Sequence, residues 1–136
     1  MVLEKNFSPV RVLIIDDDYF VRDALEMFFQ NRGCFCSASP SAEEGLKQMQ
    51  AQSFNIVVCD YRLPGLDGLS FFRRIRDWKQ KPVKILISAY GHPKLAQEAV
   101  NIGVDTYFQK PFADGQIEMA LNRLIETINS HDLSMS

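Results

Sequence analysis

The sequence has no apolar stretch long enough to cross a membrane. Its longest apolar runs, such as Val12 to Ile15, are strand-sized, whereas a spanning helix needs about 20 apolar residues. Residues 1–9 lack the apolar core of a secretory signal. Cysteine is scarce and odd in number: Cys34, Cys36 and Cys59 fall at neither CxxC nor zinc spacing. That excludes a disulfide scaffold, and buried or half-buried free thiols in a reducing compartment are expected. The cytoplasm is the expected location. Basic charge is not in excess either, with 15 Lys and Arg against 17 Asp and Glu. A chain of net charge −2 is not built to coat nucleic acid or an anionic membrane. Any DNA binding is expected from another domain. Internal repeats and low-complexity tracts are also missing.

What remains is a chain of 136 residues, 46% hydrophobic and 24% charged, the size and composition of one soluble domain with its own core. Short apolar runs alternate five times with longer amphipathic stretches. Strands are expected at residues 10–15, 34–38, 54–60, 83–88 and 105–108. After the first strand, Asp18 offers a helix N-cap, and Val21, Ala24, Leu25, Phe28 and Phe29 follow at helical spacing. Ser41-Ala-Glu-Glu44 has capping-box spacing and opens a second helix. A third helix carries Leu69, Phe72 and Ile75. A fourth starts at Pro93 and stops at Gly103, and a fifth starts near Asp114 with Ile117, Ala120, Leu121, Leu124, Ile125 and Ile128 on one side. Parallel strands need crossovers and helices supply them, so the class is α/β with a parallel sheet.

In open α/β sheets, ligands collect beyond the carboxyl ends of the strands. The first expected strand ends in Asp16-Asp17-Asp18, the third in Asp60, the fourth in Ser88 and the fifth at Lys110. The second ends in nothing reactive. Carboxylates crowded into one crevice repel unless a cation joins them. Oxygen ligands with room for water suit Mg2+, with Mn2+ as a substitute. A divalent ion beside a carboxylate and a lysine stabilises phosphoryl oxygens, and Asp60 is then a candidate nucleophile towards phosphorus.

Four pieces carry a resemblance: Ile14-Ile-Asp-Asp17, Cys59-Asp-Tyr-Arg-Leu-Pro-Gly-Leu-Asp-Gly68, Ile87-Ser-Ala89 and Lys110-Pro-Phe112. Each is weak alone. In this order, and at the ends of the expected strands, they resemble the response-regulator receiver family of two-component signalling. The resemblance implies a single flavodoxin-like (CheY-like) doubly wound domain over residues 10–128, with five helices and strand order 2-1-3-4-5. Residues 1–9 are then an extension, and residues 129–136 a tail or the start of a linker.

The resemblance also implies roles. Asp60 is the phospho-acceptor, with Asp17 and Asp60 as direct metal ligands, Asp16 acting largely through water, and the backbone carbonyl of Arg62 as a further ligand. Lys110 pairs with the acceptor and then with the phosphoryl group. Ser88 bonds a phosphoryl oxygen, Tyr107 changes rotamer with it, and Pro111 occupies a position where the family tends to have a cis peptide. The implied donor is a histidine kinase or phosphotransfer domain. The implied target is an output domain or protein, read through the face of helix 4, strand 5 and helix 5, with a homodimer on phosphorylation as an alternative.

Plainer readings compete at several positions. Asp18 is expected to be a cap and not a ligand. Pro64, Gly65 and Gly68 are turn residues that also let the loop pass close to a metal. The basic run Arg73, Arg74, Arg76, Lys79, Lys81 and Lys84 reads as a solvated helix face. Phe71 and Trp78 are harder to place, a partner surface there being one reading that nothing in the sequence supports, and His92 and His131 are expected at the solvent. A haloacid-dehalogenase-type phosphatase also uses an aspartate nucleophile and Mg2+. It places that aspartate after the first strand in an Asp-x-Asp-x-Thr pattern, where this chain has Asp16-Asp-Asp18-Tyr-Phe20.

Overall fold

The computed structural model describes residues 10–89, 91, 93–110, 115–123 and 126. The expected extension and tail, and the expectations for His92, Pro111, Leu124, Ile125, Ile128 and His131, lie outside the described residues. Five strands alternate with helices: β1 (Arg11–Ile15), α1 (Tyr19–Gln30), β2 (Phe35–Ser39), α2 (Ala42–Ala51), β3 (Ile56–Asp60), α3 (Gly68–Ile75), β4 (Val83–Ser88), α4 (Pro93–Asn101) and β5 (Thr106–Gln109). Residues 115–123 are helical as well and are called α5. All strand pairs are parallel, and the order is β2-β1-β3-β4-β5, the order expected from the resemblance.

The apolar runs are nearly continuous because helices cover both sheet faces. Successive side chains alternate between those faces. Leu13, Ile15, Val57, Cys59 and Leu86 join one core with Phe71, Phe72 and Ile75 of α3 and Leu95 and Ala99 of α4. Val12, Ile14, Ile56, Val58, Ile85 and Ile87 join the other with Leu25 and Phe29 of α1 and Ile117 and Leu121 of α5.

Helix starts follow from short polar side chains that satisfy the first free backbone N–H groups. Asp18 accepts from the Phe20 N–H, Ser41 from Glu44 and Asp67 from Ser70. Asp18 is thus the cap expected of it.

One position left open is settled, and one expectation needs correction. Phe71 is fully buried and packs edge-on to Phe72 with ring centroids 5.3 Å apart, so it is core and offers nothing to a partner. Lys84 belongs to β4 and is buried, which removes it from the solvated basic face. Arg73 and Arg74 are exposed on α3, as that reading required, whereas Arg76, Lys79 and Lys81 are exposed beyond the end of the helix. Trp78 is half-buried against the first core. Strand bounds shift by a residue or two: β2 runs from Phe35 to Ser39 and β5 from Thr106 to Gln109.

Emptying the Phe71 site removes ring contacts and leaves a cavity between α3 and the sheet. Phe71→Ala is expected to cost about 3–5 kcal/mol in urea unfolding. A loss below about 1 kcal/mol would place the ring outside the core.

Candidate functional site

Strand register assembles the site. Ile15 lies opposite Cys59, so the next residues, Asp16 and Asp60, leave adjacent strands at the same level. Ser88 lies opposite Gln109, and the Lys110 N–H donates to the Ser88 carbonyl at 2.7 Å. Four strands, β1, β3, β4 and β5, thereby deliver Asp16, Asp17, Asp60, Ser88 and Lys110 to one end. The end of β2 contributes as well, since the Ser39 carbonyl accepts the Asp16 N–H at 3.1 Å.

Asp16 is wholly buried and Asp60 is 5% exposed, while Asp17 is exposed. One carboxylate oxygen from each lies within 4.8 Å of the others, the cluster of this kind found among the described residues. The Lys110 ammonium stands 2.9 Å from Asp16 Oδ2 and 3.3 Å from Asp60 Oδ1. Asp16 Oδ1 accepts the Asp18 N–H at 2.9 Å. Both Asp16 oxygens are therefore engaged within the protein, which leaves Asp17 and Asp60 better placed to meet an ion directly.

One ammonium does not balance three carboxylates. Burial first, and the Asp16 charge second, push the Asp60 carboxyl up to about 6, against the pull of Lys110. Burial on its own would lower the Lys110 ammonium, but its bonds to Asp16 and Asp60 outweigh that and hold it above the ordinary lysine value. A hard divalent cation suits such an all-oxygen, charge-deficient cluster. Beside it, a cleft of about 490 Å³ opens between Asp17 and the loop of Arg62, Leu63, Pro64, Gly65 and Asp67. Gly68 closes that loop: a Cβ there would run into the Asp60 backbone carbonyl.

The expected residues thus converge, with one at a distance. Tyr107 is half-buried on β5 opposite Leu86 and packs against the first core. Sequence reasoning passed over Arg22, whose guanidinium donates to the Asp16 carbonyl at 2.8 Å and lies over the Tyr19 ring at 5.7 Å. Its helical position gives no hint of this contact. The thiols take no part: burial pushes Cys34 up to about 11 and Cys36 to about 12, and raises Cys59 well above the ordinary thiol value.

Residues 12–122 match the family described as the response regulator receiver domain. The chain belongs to this family. Among curated proteins it is similar to protein PetR of Rhodobacter capsulatus, 31% identical over 121 residues that cover 89% of this chain and 51% of PetR. It is likewise similar to the transcriptional regulatory protein FixJ of Bradyrhizobium diazoefficiens, 33% identical over 115 residues, covering 84% of the chain and 56% of FixJ. The chain therefore spans about half the length of these relatives.

Among solved structures, a CheY-like receiver domain protein from Methanospirillum hungatei superposes with a TM-score of 0.85 at 22% identity, over 91% of this chain and 99% of that one. At that identity the likeness bears on the fold. A receiver is a signalling domain, and nothing supports the haloacid-dehalogenase-type alternative. No helix among the described residues is long and apolar enough to cross a membrane.

The raised Asp60 carboxyl makes stability depend on pH. Its folded-state value lies above that of an unfolded aspartate, about 4, so the folded chain holds the proton more tightly. This contribution is complete below about pH 4 and is lost as pH rises through about 6. Without metal, Asp60→Asn is expected to raise stability in urea by about 1–2 kcal/mol at neutral pH, and by little at the acid end. A loss of stability at neutral pH would mean that the attraction to Lys110 outweighs burial and repulsion.

Proposed function

We propose that this receiver accepts a phosphoryl group on Asp60 in a Mg2+-dependent reaction and changes conformation to signal. The observation that carries the reading is the Lys110 ammonium held between Asp16 and Asp60. A lysine so placed can follow an Asp60 oxygen as that oxygen becomes bonded to phosphorus. In the reaction, an Asp60 carboxylate oxygen attacks the phosphorus of the donor. The new O–P bond forms as the bond to the donor nitrogen or oxygen breaks, and the leaving group departs with that electron pair.

Asp17, Asp60 and the Arg62 carbonyl would hold Mg2+ (or Mn2+), with Asp16 reaching it largely through water. The bound ion supplies charge neutralisation for the phosphoryl oxygens. Lys110 compensates a further share of their charge, and the Ser88 hydroxyl donates to one of them. Ser88 is buried and joined to Lys110 through the backbone, so both donors move with the same strand ends.

The donor is a histidine kinase or phosphotransfer domain. The signal passes from Ser88 to Tyr107 and the face of α4, β5 and α5, to an output domain or a protein target, or into a homodimer. Driving a two-state domain from 1:99 to 99:1 needs about 5.5 kcal/mol. Two hydrogen bonds to a charged group contribute about 3–6 kcal/mol, so Ser88 and Lys110 together reach that scale.

Incubation with acetyl phosphate and Mg2+, followed by borohydride trapping, should label Asp60 and leave Asp60→Asn unlabelled. Label on another residue would overturn the assignment. Asp17→Asn should weaken Mg2+ binding about tenfold or more, and Asp18→Asn much less, because Asp18 caps α1. Equal losses would contradict the division of roles between those two acids. Ser88→Ala should keep appreciable labelling and show smaller phosphorylation-dependent NMR shifts around Tyr107. Shifts equal to wild type at equal phosphorylation would remove Ser88 from the readout.

A further inference from the structure

The loop from Tyr61 to Asp67 forms one wall of the cleft beside Asp17, with Arg62 among the residues that line it. Its base is secured from within: the Gly68 N–H donates to the Tyr61 carbonyl at 2.9 Å, and Asp67 caps α3. Its tip is held from outside. Glu43, in the first turn of α2, accepts the Leu66 N–H on Oε2 at 3.0 Å, across 23 residues of sequence.

Gly65 is shaped to this contact. Its φ is +80°, and a Cβ there would stand 2.7 Å from the same carboxylate oxygen. Glycine provides both the left-handed turn and the space for Glu43. The Leu66 N–H, together with the Glu43 N–H and the Arg74 charge, holds the Glu43 carboxyl below its ordinary value. The acceptor is therefore fully charged at neutral pH.

We propose that Glu43 is a positioning residue for the metal site, its bond to Leu66 holding the loop in the arrangement that brings the Arg62 carbonyl to the ion. This rests on the Asp16, Asp17, Asp60 and Arg62 reading given above. Glu43 itself touches neither the ion nor the phosphoryl group. Its side chain is exposed, so replacing it leaves no cavity and Glu43→Ala retains the fold. Without the bond, the loop tip samples other arrangements, and the ion must select the productive one from among them.

The test titrates Mg2+ against the whole chain and follows acetyl phosphate labelling of Asp60 and the Leu66 amide resonance. Glu43→Ala should need roughly three- to tenfold more Mg2+ for half-maximal labelling. At saturating Mg2+ it should reach wild-type labelling, and its Leu66 amide proton should move upfield. Glu43→Gln keeps an acceptor oxygen and should stay within about twofold of wild type. An unchanged Mg2+ requirement in Glu43→Ala, with the Leu66 resonance moved, would overturn the proposal. Equal weakening by Gln and Ala would overturn it too, because the cause would then be lost charge and not a released loop. Wild-type protein that takes up no Mg2+, or stays unlabelled at Asp60, would overturn the phosphoacceptor reading itself, independently of any Glu43 variant.

Discussion

The Lys110 ammonium lies between two buried carboxylates, 2.9 Å from Asp16 and 3.3 Å from Asp60, with a third, Asp17, close by. A single positive charge there is too little for the acids around it, and burial first, with the Asp16 charge second, raises the Asp60 carboxyl to about 6. The rest of the structure keeps these groups together against their repulsion. Isolated buried charges are costly, and paired ones persist only when their remaining lone pairs are satisfied. Asp16 meets that condition through the Asp18 N–H and Lys110. Asp60 shares Lys110 with Asp16, and the cluster of the three acids is compatible with a bound cation.

The parallel sheet makes this crowding possible. Because β1, β3, β4 and β5 run the same way in register, their carboxyl ends share one edge, and a polar residue after each apolar run arrives at the same place. The two cores on either face of the sheet hold the strands rigid, so the acids cannot relax apart. Local backbone contacts then set the details. The Ser39 carbonyl fixes the Asp16 N–H, Arg22 binds the Asp16 carbonyl, and Gly68 lets α3 start against the Asp60 carbonyl.

This edge is the part of the molecule most readable from the sequence, for a physical reason. Apolar runs and helix caps are local patterns, and topology turns them into proximity without further information. Asp16, Asp60, Ser88 and Lys110 were readable on that ground, as was the capping by Asp18 and Ser41. Contacts that depend on how a loop folds back were not. Glu43 reaches Leu66 across 23 residues, and nothing in its own helix marks it. Phe71 has no clear place in the sequence because adjacent aromatics on a short helix do not reveal which helices flank them. Here α2 comes so close that a Cβ on Gly45 would stand 3.6 Å from the Phe71 ring. Lys84 was misread because a basic residue near a basic helix looks like part of it, although the chain had already entered β4.

If Asp60 carries the unbalanced charge of the cluster, a divalent ion should relieve it. Carbon-13 NMR of the Asp60 side-chain carboxyl, followed through pH with and without Mg2+, tests this most directly. Titration near pH 6 is expected in the metal-free protein, with a clear downward shift once Mg2+ is bound. An Asp60 carboxyl that titrates in the ordinary aspartate range, about 4, and does not respond to Mg2+ would contradict it.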